Sequence, residues 1–454
     1  MTIESVNPAT GHVLKSFTPL NSHEIEDRVK SASLAQKEWQ KRTIEQRSRP
    51  LVKMAELLEE RAESLGRIAT LEMGKPLAEA QGEVKKCAWV CRHYAEHSAD
   101  YLRIQAIESD ASKSFVRYDP LGLVLSIMPW NFPFWQVFRF AAPTLMAGNG
   151  ALLKHAPNVP QCAEAIEALF VEAGFPSSLL TNLVIDTEPV ADLIKDPRIA
   201  AVTLTGSGRA GRAVAEAAGK ALKPVVLELG GSDPFIVLDG ANTEKAVEHA
   251  IISRFLNNGQ SCIAAKRLIV VESMYEDFVA RFSKAMDALT LGDPLTSETR
   301  IGPLAQARFR VALHDQVQNL IQEGARCLKG GKIPEGDGFF YPPTLLVDVP
   351  TESAVIKDEI FGPVASIIRV PDRAAAVKLA NSVEYGLGAS VWTNDESLIN
   401  ELVTQLDAGA VFVNGMVKSD PRLPFGGIKQ SGIGRELGRE GILEFVNTKT
   451  VWVA

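Results

Sequence analysis

Cysteine and histidine are scarce in this sequence. It has five cysteines and seven histidines in 454 residues. The cysteines lack the paired spacing of zinc sites, and an odd number does not suit a disulfide framework. We therefore expect reduced thiols, no metal ion and a cytoplasmic protein. The five positions are Cys87, Cys91, Cys162, Cys262 and Cys327.

Long apolar runs and basic stripes are also missing. The N-terminus carries acidic and polar residues where a signal peptide needs a basic start and an apolar run. The most apolar stretches fall short of the ~18 residues that indicate a membrane span. The net charge is −7, without a stripe of lysine and arginine that could grip a phosphate backbone. These features predict no export, no membrane association and no nucleic-acid partner.

What is present indicates a multidomain globular protein. Hydrophobic residues make up 46% and charged residues 23%, as in ordinary soluble proteins. A chain of 454 residues exceeds one compact core and predicts two or three domains. Residues 45–80 repeat apolar positions at helical spacing, so the N-terminal hundred residues are predicted to be mostly helical.

Two regions alternate β-rich runs with helix-like stretches, which is typical of parallel, doubly wound α/β sheets. We therefore predict an α/β protein with two doubly wound, Rossmann-like domains. The predicted strands of the first region are 121–127, 150–155, 199–205 and 223–229. Those of the second region are 233–238, 267–272, 365–370, 389–393 and 410–414.

Two further β-prone segments, 111–120 and 445–454, have no obvious partner inside either region. We predict that they pair as a small β oligomerisation arm that reaches another subunit of a homodimer or homotetramer. The predicted domains are a first α/β domain at 1–106 and 121–230, a second α/β domain at 231–428, and the arm at 107–120 and 429–454.

A glycine-rich turn follows the strand at 199–205. Gly206, Gly208 and Gly211 satisfy the G-x-G-x-x-G pattern, in which small residues let backbone N–H groups approach a pyrophosphate. Alone, the pattern also fits a tight strand–helix turn. It would cast Glu228, 22 residues beyond Gly206, as an acid that binds a ribose.

Five short motifs contest that role for Glu228. They are MPWNFP at 128–133, ELGGS at 228–232, GQSC at 259–262, EIFGP at 359–363 and PFGG at 424–427. Together they resemble the aldehyde dehydrogenase superfamily, in order and in approximate spacing, from about residue 7 to the C-terminus. The resemblance implies that Cys262 is the nucleophile, Glu228 the general base and Asn131 the oxyanion-binding amide.

The chemistry suits these residue types. A thiolate adds to an aldehyde carbonyl, although a free cysteine with a pKa of about 8.5 is only slightly ionised at neutral pH. The Asn131 amide and the Cys262 backbone N–H would stabilise the resulting oxyanion. After hydride transfer a thioester remains, and a partly buried carboxylate such as Glu228 can activate water to hydrolyse it. We therefore reject the ribose role of Glu228.

The resemblance also implies a cofactor site for NAD or NADP. It makes the domain at 1–106 and 121–230 the dinucleotide-binding domain and the domain at 231–428 the catalytic domain. In the family, a lysine at the position of Lys154 contacts the adenosine ribose or its phosphate. Members that prefer NAD often carry a glutamate three residues after this lysine, whereas this chain has Pro157. Loss of that carboxylate removes repulsion toward a 2′-phosphate, so we expect NADP to be tolerated. The implied cofactor-binding residues are Trp130, Lys154, Pro157, Gly206, Ser207, Leu229, Glu359 and Phe361.

The positions of Arg139 and Ser419 resemble those of succinate-semialdehyde dehydrogenases, where an arginine and a serine hold the far carboxylate of the substrate. A guanidinium fork is a natural clamp for such a group. A second arginine of that subfamily is replaced by Leu256, with Arg254 and Arg422 as possible substitutes. The predicted substrate is therefore an aldehyde with a distal carboxylate, namely succinate semialdehyde.

Other interpretations stay open at this point. A broader aldehyde or glutarate-semialdehyde dehydrogenase would carry the same motifs. A cysteine hydrolase would need a histidine beside Cys262, and the candidates His249 and His314 lack an obvious orienting acid. A non-catalytic nucleotide-binding protein would not need the intact nucleophile, base and amide.

Overall fold

The computed structural model describes residues 2–454. Its helices are α1 Ser22–Trp39, α2 Ile44–Glu60, α3 Ala62–Met73, α4 Leu77–Tyr101, α5 Trp135–Met146, α6 Pro160–Glu172, α7 Val190–Lys195, α8 Gly208–Lys220, α9 Thr243–Phe255, α10 Glu272–Ala285, α11 Ala307–Gln322, α12 Arg373–Ala380, α13 Ile399–Gln405 and α14 Gly438–Leu443. The helical prediction for the N-terminal hundred residues is confirmed by α1 to α4. Across the described residues, no helix is both long and apolar enough to cross a membrane.

The strands fall into two large sheets and three small ones. Their bounds are β1 Ile3–Val6, β2 Val13–Phe17, β3 Gln105–Ala106, β4 Lys113–Pro120, β5 Leu123–Met128, β6 Gly150–His155, β7 Leu180–Asn182, β8 Ile199–Thr205, β9 Val225–Glu228, β10 Pro234–Val237, β11 Arg267–Val271, β12 Arg326–Lys329, β13 Thr344–Val347, β14 Val364–Val370, β15 Tyr385–Gly386, β16 Gly388–Trp392, β17 Ala410–Val413, β18 Ile428–Lys429, β19 Gly432–Ile433 and β20 Val446–Val453.

The first large sheet has the strand order β19-β9-β8-β5-β6-β7. Its pairs are parallel except for the short β19, which runs antiparallel to β9. Leu123 and Leu125 face an apolar cluster that includes residues of α1 and α8, and Val124 faces a second cluster that includes α5 and α6. Helices therefore cover both faces, which explains why these strands read as continuous apolar runs.

The second large sheet has the order β12-β13-β14-β11-β10-β16-β17 and is parallel apart from the β12–β13 pair. Ile236 and Ile269 belong to one cluster, which includes residues of α11 and α12. Phe235 and Leu268 belong to the opposite cluster, which includes residues of α9 and α10. The prediction of two doubly wound α/β regions is confirmed.

A separate three-stranded antiparallel sheet has the order β20-β4-β3. β20 and β4 pair along their whole length, from Val446 opposite Pro120 to Val453 opposite Lys113. The two β-prone segments of the sequence therefore pair with each other. The contact of this arm with another subunit stays a prediction, as do the domain boundaries.

The C-terminal region contributes more than the arm. β18 pairs with β15, and β19 pairs with β9 so that Gly432 lies opposite Glu228. Gly432 has a φ of 142°, and a Cβ at this position would collide with the carbonyl oxygen of Leu227. Only glycine fits this close approach. The short β19 was not predicted, because two residues carry no periodicity.

Candidate active site

Several predicted site residues lie at one edge of the first large sheet. β9, β8, β5 and β6 are consecutive parallel neighbours, so their carboxyl ends meet. Thr205 lies opposite Glu228 in the register of β8 and β9. Asn131 follows the end of β5, and Lys154 lies near the end of β6. Ligands bind at this edge in open α/β sheets.

The loop that carries Cys262 is held in an unusual conformation. Asn257 and Asn258 have φ angles of 60° and 57°, a region that asparagine tolerates better than most residues. Gly259 has a φ of 72°, and a Cβ there would collide with the carbonyl of Gly362. These constraints fix the backbone conformation of the loop just before Cys262 and so help to determine where Cys262 lies.

Asn131 is bound directly to this loop. Its side-chain Nδ2 donates to the carbonyl of Gln260 at 3.1 Å. In return, Asn257 Nδ2 donates to the backbone carbonyl of Asn131 at 2.9 Å. An amide nitrogen has two hydrogens, so Asn131 can donate one to Gln260 and a second to a ligand. The structure thus brings Asn131 to the cysteine loop, as the oxyanion role requires.

Cys262 lies on the wall of a cavity of about 440 Å³. Arg139 and Ser419, the two residues predicted to bind the substrate, line the same cavity. Its wall combines aromatic, acidic and basic side chains from α4, the start of α5 and the loops around Cys262 and Ser419. Further lining residues are Lys75, Glu79, Glu83, Lys86, Phe132, Trp135, Leu256, Met416, Lys418 and Phe425.

Glu228 is deeply buried, and both of its carboxylate oxygens lack a hydrogen-bond partner among the described residues. Burial raises the pKa of Glu228 well above its usual range, and the positive charge of Arg139 opposes this shift. A Cβ on Gly426 would approach Glu228 Oε1 to 2.7 Å, next to Phe425 of the cavity wall. An unpaired carboxyl group with a raised pKa suits a general base.

Arg139 is engaged more firmly than a free substrate clamp would be. Its guanidinium forms a buried ion pair with Glu436 and lies 4.7 Å from the ring centroid of Phe425. Its Nη2 also donates to Thr205 Oγ1 at 3.4 Å. Arg139 is therefore a buried residue with an internal ion pair and does not form a salt bridge at the surface. The contact of Arg139 with substrate stays a prediction.

The two arginines named as possible substitutes at Leu256 serve other purposes. Arg254 is fully buried and donates to backbone carbonyls, among them Val364 and Ile360. Arg422 pairs with Asp420 at 2.7 Å. Neither arginine lines the cavity, so the structure does not support them as substitutes.

The thiol of Cys262 lies in a mixed environment. Burial raises its pKa to about 12, and the charges of Lys266 and Arg139 act in the opposite direction. Lys266 Nζ donates to the backbone carbonyl of Cys262 and lies 3.1 Å from Glu359 Oε1. Sequence reasoning missed Lys266, although its position four residues after Cys262 was a usable signal.

Glu359 and Trp130, both predicted to bind cofactor, have defined neighbours. A Cβ on Gly230 would approach Glu359 Oε2 to 2.6 Å, so glycine at this position makes room for the carboxylate. Trp130 stacks on Phe309 with ring centroids 4.9 Å apart, and it meets Phe361 edge-on at 5.8 Å. The aromatic rings thus form one small cluster beside the sheet edge.

The glycine-rich turn leads into α8. Ser207 is the N-cap residue, and its hydroxyl accepts a hydrogen bond from the N–H of Ala210. A Cβ on Gly211 would come within 2.6 Å of the Leu229 side chain, so this glycine allows α8 to pack closely on β9. The glycine-rich motif therefore starts α8 at the carboxyl edge of the sheet and also allows this helix to pack closely on the sheet.

Comparison with known proteins agrees with this geometry. The profile of the aldehyde dehydrogenase family matches residues 1–451. The chain belongs to this family. A probable succinate-semialdehyde dehydrogenase [NADP(+)] of Synechocystis sp. is 50% identical over 454 residues, with both chains fully covered.

Solved aldehyde dehydrogenase structures superpose closely on the chain. The succinic semialdehyde dehydrogenase of Streptococcus pyogenes, in complex with NADP⁺, has a TM-score of 0.97 at 35% identity and 99% coverage of both chains. An aldehyde dehydrogenase of Bacillus cereus, in an NAD⁺ complex, has a TM-score of 0.96 at 32% identity, covering 100% of this chain and 93% of that one.

The residues at the sheet edge fit a dinucleotide of the kind that aldehyde dehydrogenases use. The N-terminus of the 13-residue helix α8 presents backbone N–H groups and a positive dipole end, which suit a pyrophosphate. Lys154 is buried at the end of β6, where burial lowers its pKa. Pro157 lies three residues beyond Lys154 and is exposed. The side chain of Glu359, beside Lys266, is 23% exposed, and its carboxylate can accept hydrogen bonds from ribose hydroxyls.

Sequence reasoning also missed Lys86 of this aldehyde dehydrogenase. Its Nζ donates to Ser419 Oγ at 2.7 Å and lies 4.3 Å from the ring centroid of Trp135. Cavity-lining residues of α4 recur at helical spacing, at 79, 82, 83, 86 and 89. This period of three and four marks one helix face and was visible in the sequence.

Proposed function

We propose that this aldehyde dehydrogenase oxidises succinate semialdehyde to succinate through a thioester on Cys262. Succinate semialdehyde, water and NAD(P)⁺ give succinate, NAD(P)H and two protons. The observation that carries the substrate assignment is that Cys262 shares one cavity with Arg139 and Ser419. The names of the Synechocystis and Streptococcus relatives support the same substrate.

The reaction begins with Cys262. Its thiolate sulfur adds to the aldehyde carbon, and the carbonyl oxygen becomes an oxyanion. The Asn131 amide and the backbone N–H of Cys262 are the donors that stabilise this charge, each worth about 3–4 kcal/mol in comparable sites. The hydrogen bond of Asn131 to Gln260 holds the amide in place beside the loop. Bound NAD or NADP supplies the hydride acceptor that converts the adduct into the thioester.

Glu228 then acts as the base for hydrolysis. Its carboxylate takes a proton from water, and the oxygen of that water adds to the thioester carbon and expels the Cys262 sulfur. Burial raises the pKa of Glu228 well above its usual range, and the charge of Arg139 acts in the opposite direction. A carboxylate with a raised pKa takes a proton from water more readily than an ordinary one, which suits the role of base.

The far carboxylate of the substrate would face the wall that contains Arg139 and Ser419. The Ser419 hydroxyl can donate to it, and the guanidinium of Arg139 is shared with Glu436. The separation between this wall and Cys262 then selects the chain length of the aldehyde.

The cofactor site is proposed to comprise Trp130, Lys154, Pro157, Gly206, Ser207, Leu229, Glu359 and Phe361. Pro157 offers no carboxylate to repel a 2′-phosphate beside Lys154, so we expect NADP to be used in addition to NAD. The names of the relatives refer to NADP⁺ or NAD⁺ and support both.

A substrate panel tests the proposed function. Initial rates are measured for succinate semialdehyde, glutarate semialdehyde and butanal, each with NAD and with NADP. We expect the highest kcat/KM for succinate semialdehyde. Equal values for butanal would indicate a broad aldehyde dehydrogenase, and a maximum at glutarate semialdehyde would shift the assigned chain length. No reduced nicotinamide with any aldehyde would overturn the redox activity and favour a hydrolase or a non-catalytic protein.

The β20-β4-β3 sheet is the surface through which we expect a homodimer or homotetramer to form. Trp452 and Val453 near the C-terminus and Ile107 beside β3 are about half exposed. Light scattering after gel filtration measures the mass of the wild type and of a Trp452→Arg variant. A dimer or tetramer that the variant weakens supports the arm, and a monomeric wild type contradicts it.

A further inference from the structure

The cavity beside Cys262 contains four basic side chains, and their surroundings differ. Lys75 forms an ion pair with Glu83 at 2.5 Å, and Arg139 pairs with Glu436. Within residues 2–454, Lys86 forms no ion pair and donates instead to the neutral hydroxyl of Ser419. Lys86 is thus a half-buried cation of this cavity that no carboxylate of the described residues contacts directly.

The exposed Lys418 is the fourth basic residue of the wall. Water competes with a carboxylate ligand for this exposed ammonium, so Lys418 contributes little to the binding of such a ligand. Lys86 is less exposed than Lys418, so its charge is screened less by water and interacts more strongly with a bound ligand.

The position of Lys86 is fixed from two sides. Trp135, the first residue of α5, lies beneath the ammonium at 4.3 Å, a distance at which an aromatic face attracts a cation. The N–H of Trp135 donates to Glu83 Oε1 at 2.9 Å, which ties the start of α5 to α4. Lys86 therefore needs little reordering to meet a ligand.

Leu256 lines the same cavity and offers no charge. Arg139 already carries the balancing charge of Glu436. Of the cations on this wall, Lys86 is therefore the enclosed one that remains available to a substrate carboxylate.

We infer that Lys86, together with Ser419, binds the distal carboxylate of the aldehyde substrate and sets the preference for acidic aldehydes. The ammonium donates to one carboxylate oxygen, and the Ser419 hydroxyl, which already accepts from Lys86, donates its own hydrogen to the other. Such charge-assisted bonds are stronger than neutral ones. This inference rests on the proposed function, because it assigns a residue to the same substrate.

The test compares Lys86→Met, Lys86→Arg and the matched control Lys85→Met. Lys85 is exposed on the same helix and does not line the cavity. For each variant, kcat and KM are measured with succinate semialdehyde and with butanal, which has the same chain length and no carboxylate. We expect Lys86→Met to lower the preference for the acidic aldehyde about tenfold or more, mainly through KM. Lys86→Arg should keep most of the preference for the acidic aldehyde, and Lys85→Met should behave as wild type.

A second measurement does not depend on turnover. Succinate should protect Cys262 of the wild type and of Lys85→Met against alkylation by iodoacetamide, and this protection should be lost in Lys86→Met. An unchanged preference and unchanged protection in Lys86→Met would overturn the inference. Equal losses for both aldehydes would assign Lys86 a structural role and also overturn it. A wild type that does not prefer the acidic aldehyde would instead overturn the proposed substrate, whatever the variants do.

Discussion

The ammonium of Lys266 lies 3.1 Å from the carboxylate of Glu359 and also donates to the carbonyl of Cys262. One side chain thus joins the loop of Cys262, the proposed nucleophile, to Glu359, which is proposed to bind the cofactor. The charge of Lys266 also lowers the pKa of Cys262, against the larger effect of burial.

Replacement of Lys266 by methionine should slow the reaction of Cys262 with iodoacetamide. Removal of a positive charge raises the pKa of the thiol and reduces the thiolate fraction at any given pH. The pH profile of the alkylation rate should therefore move to higher pH. The exposed Lys245→Met serves as the control, and identical profiles for the three proteins would contradict the electrostatic role of Lys266.

Cys262→Ala should abolish aldehyde oxidation and leave NAD(P) binding intact. The thiol acts on the aldehyde, whereas the predicted cofactor contacts lie on other residues. Calorimetry measures cofactor binding, and absorbance of the reduced nicotinamide measures turnover. Cys327→Ala, which removes an exposed cysteine, should keep full activity. Residual turnover by Cys262→Ala would exclude the thioester mechanism.

Glu228→Gln should allow a first-turnover burst of reduced nicotinamide and then stall. The amide has the size of the carboxyl group but cannot accept the proton from water, so the thioester accumulates. Rapid mixing with absorbance detection resolves the burst. If the variant shows no burst, Glu228 acts earlier, for example in activation of the thiol.

Arg139→Met should impair both folding stability and catalysis. Loss of the guanidinium leaves Glu436 buried without its partner, which costs about 3–5 kcal/mol in comparable proteins. It also removes the charge that opposes protonation of Glu228, so the acid limb of the kcat profile should move to higher pH. Thermal unfolding and kcat measurements check both effects. A loss confined to acidic aldehydes, at unchanged stability, would make Arg139 a substrate clamp alone.

The preference for acidic aldehydes should itself depend on pH. Burial and the charge of Arg139 lower the pKa of Lys86 to about 8, and Cys87, Asp420 and Glu83 act in the opposite direction. The side chain is charged below this pKa and neutral above it. The ratio of kcat/KM for succinate semialdehyde to that for butanal should therefore fall as the pH rises through about 8.

The use of a ratio removes the titration of groups that both substrates require, such as Cys262 and Glu228. Lys86→Arg provides the control, because a guanidinium stays charged across this range and should give a flat ratio. A wild-type ratio that does not change with pH would contradict the assignment to Lys86.

Much of the fold was determined by local sequence. The apolar runs at 199–205 and 267–272 predicted β8 and β11 to within a residue, because strands buried on both faces need continuous apolar residues. The pairing of β4 with β20 was predicted from their β propensity and their lack of another partner. The N-terminal hairpin of β1 and β2 was missed, since most of β2 is exposed and shows no buried face.

The sequence by itself also determined which residue types could act, because the spacing of Asn131, Glu228 and Cys262 carries the family pattern. Only the tertiary structure decided which charges meet. Arg139 pairs with Glu436, and Lys86 meets Ser419 from 333 residues away. Coulombic partners are set by distance and burial, and neither follows from separation along the chain.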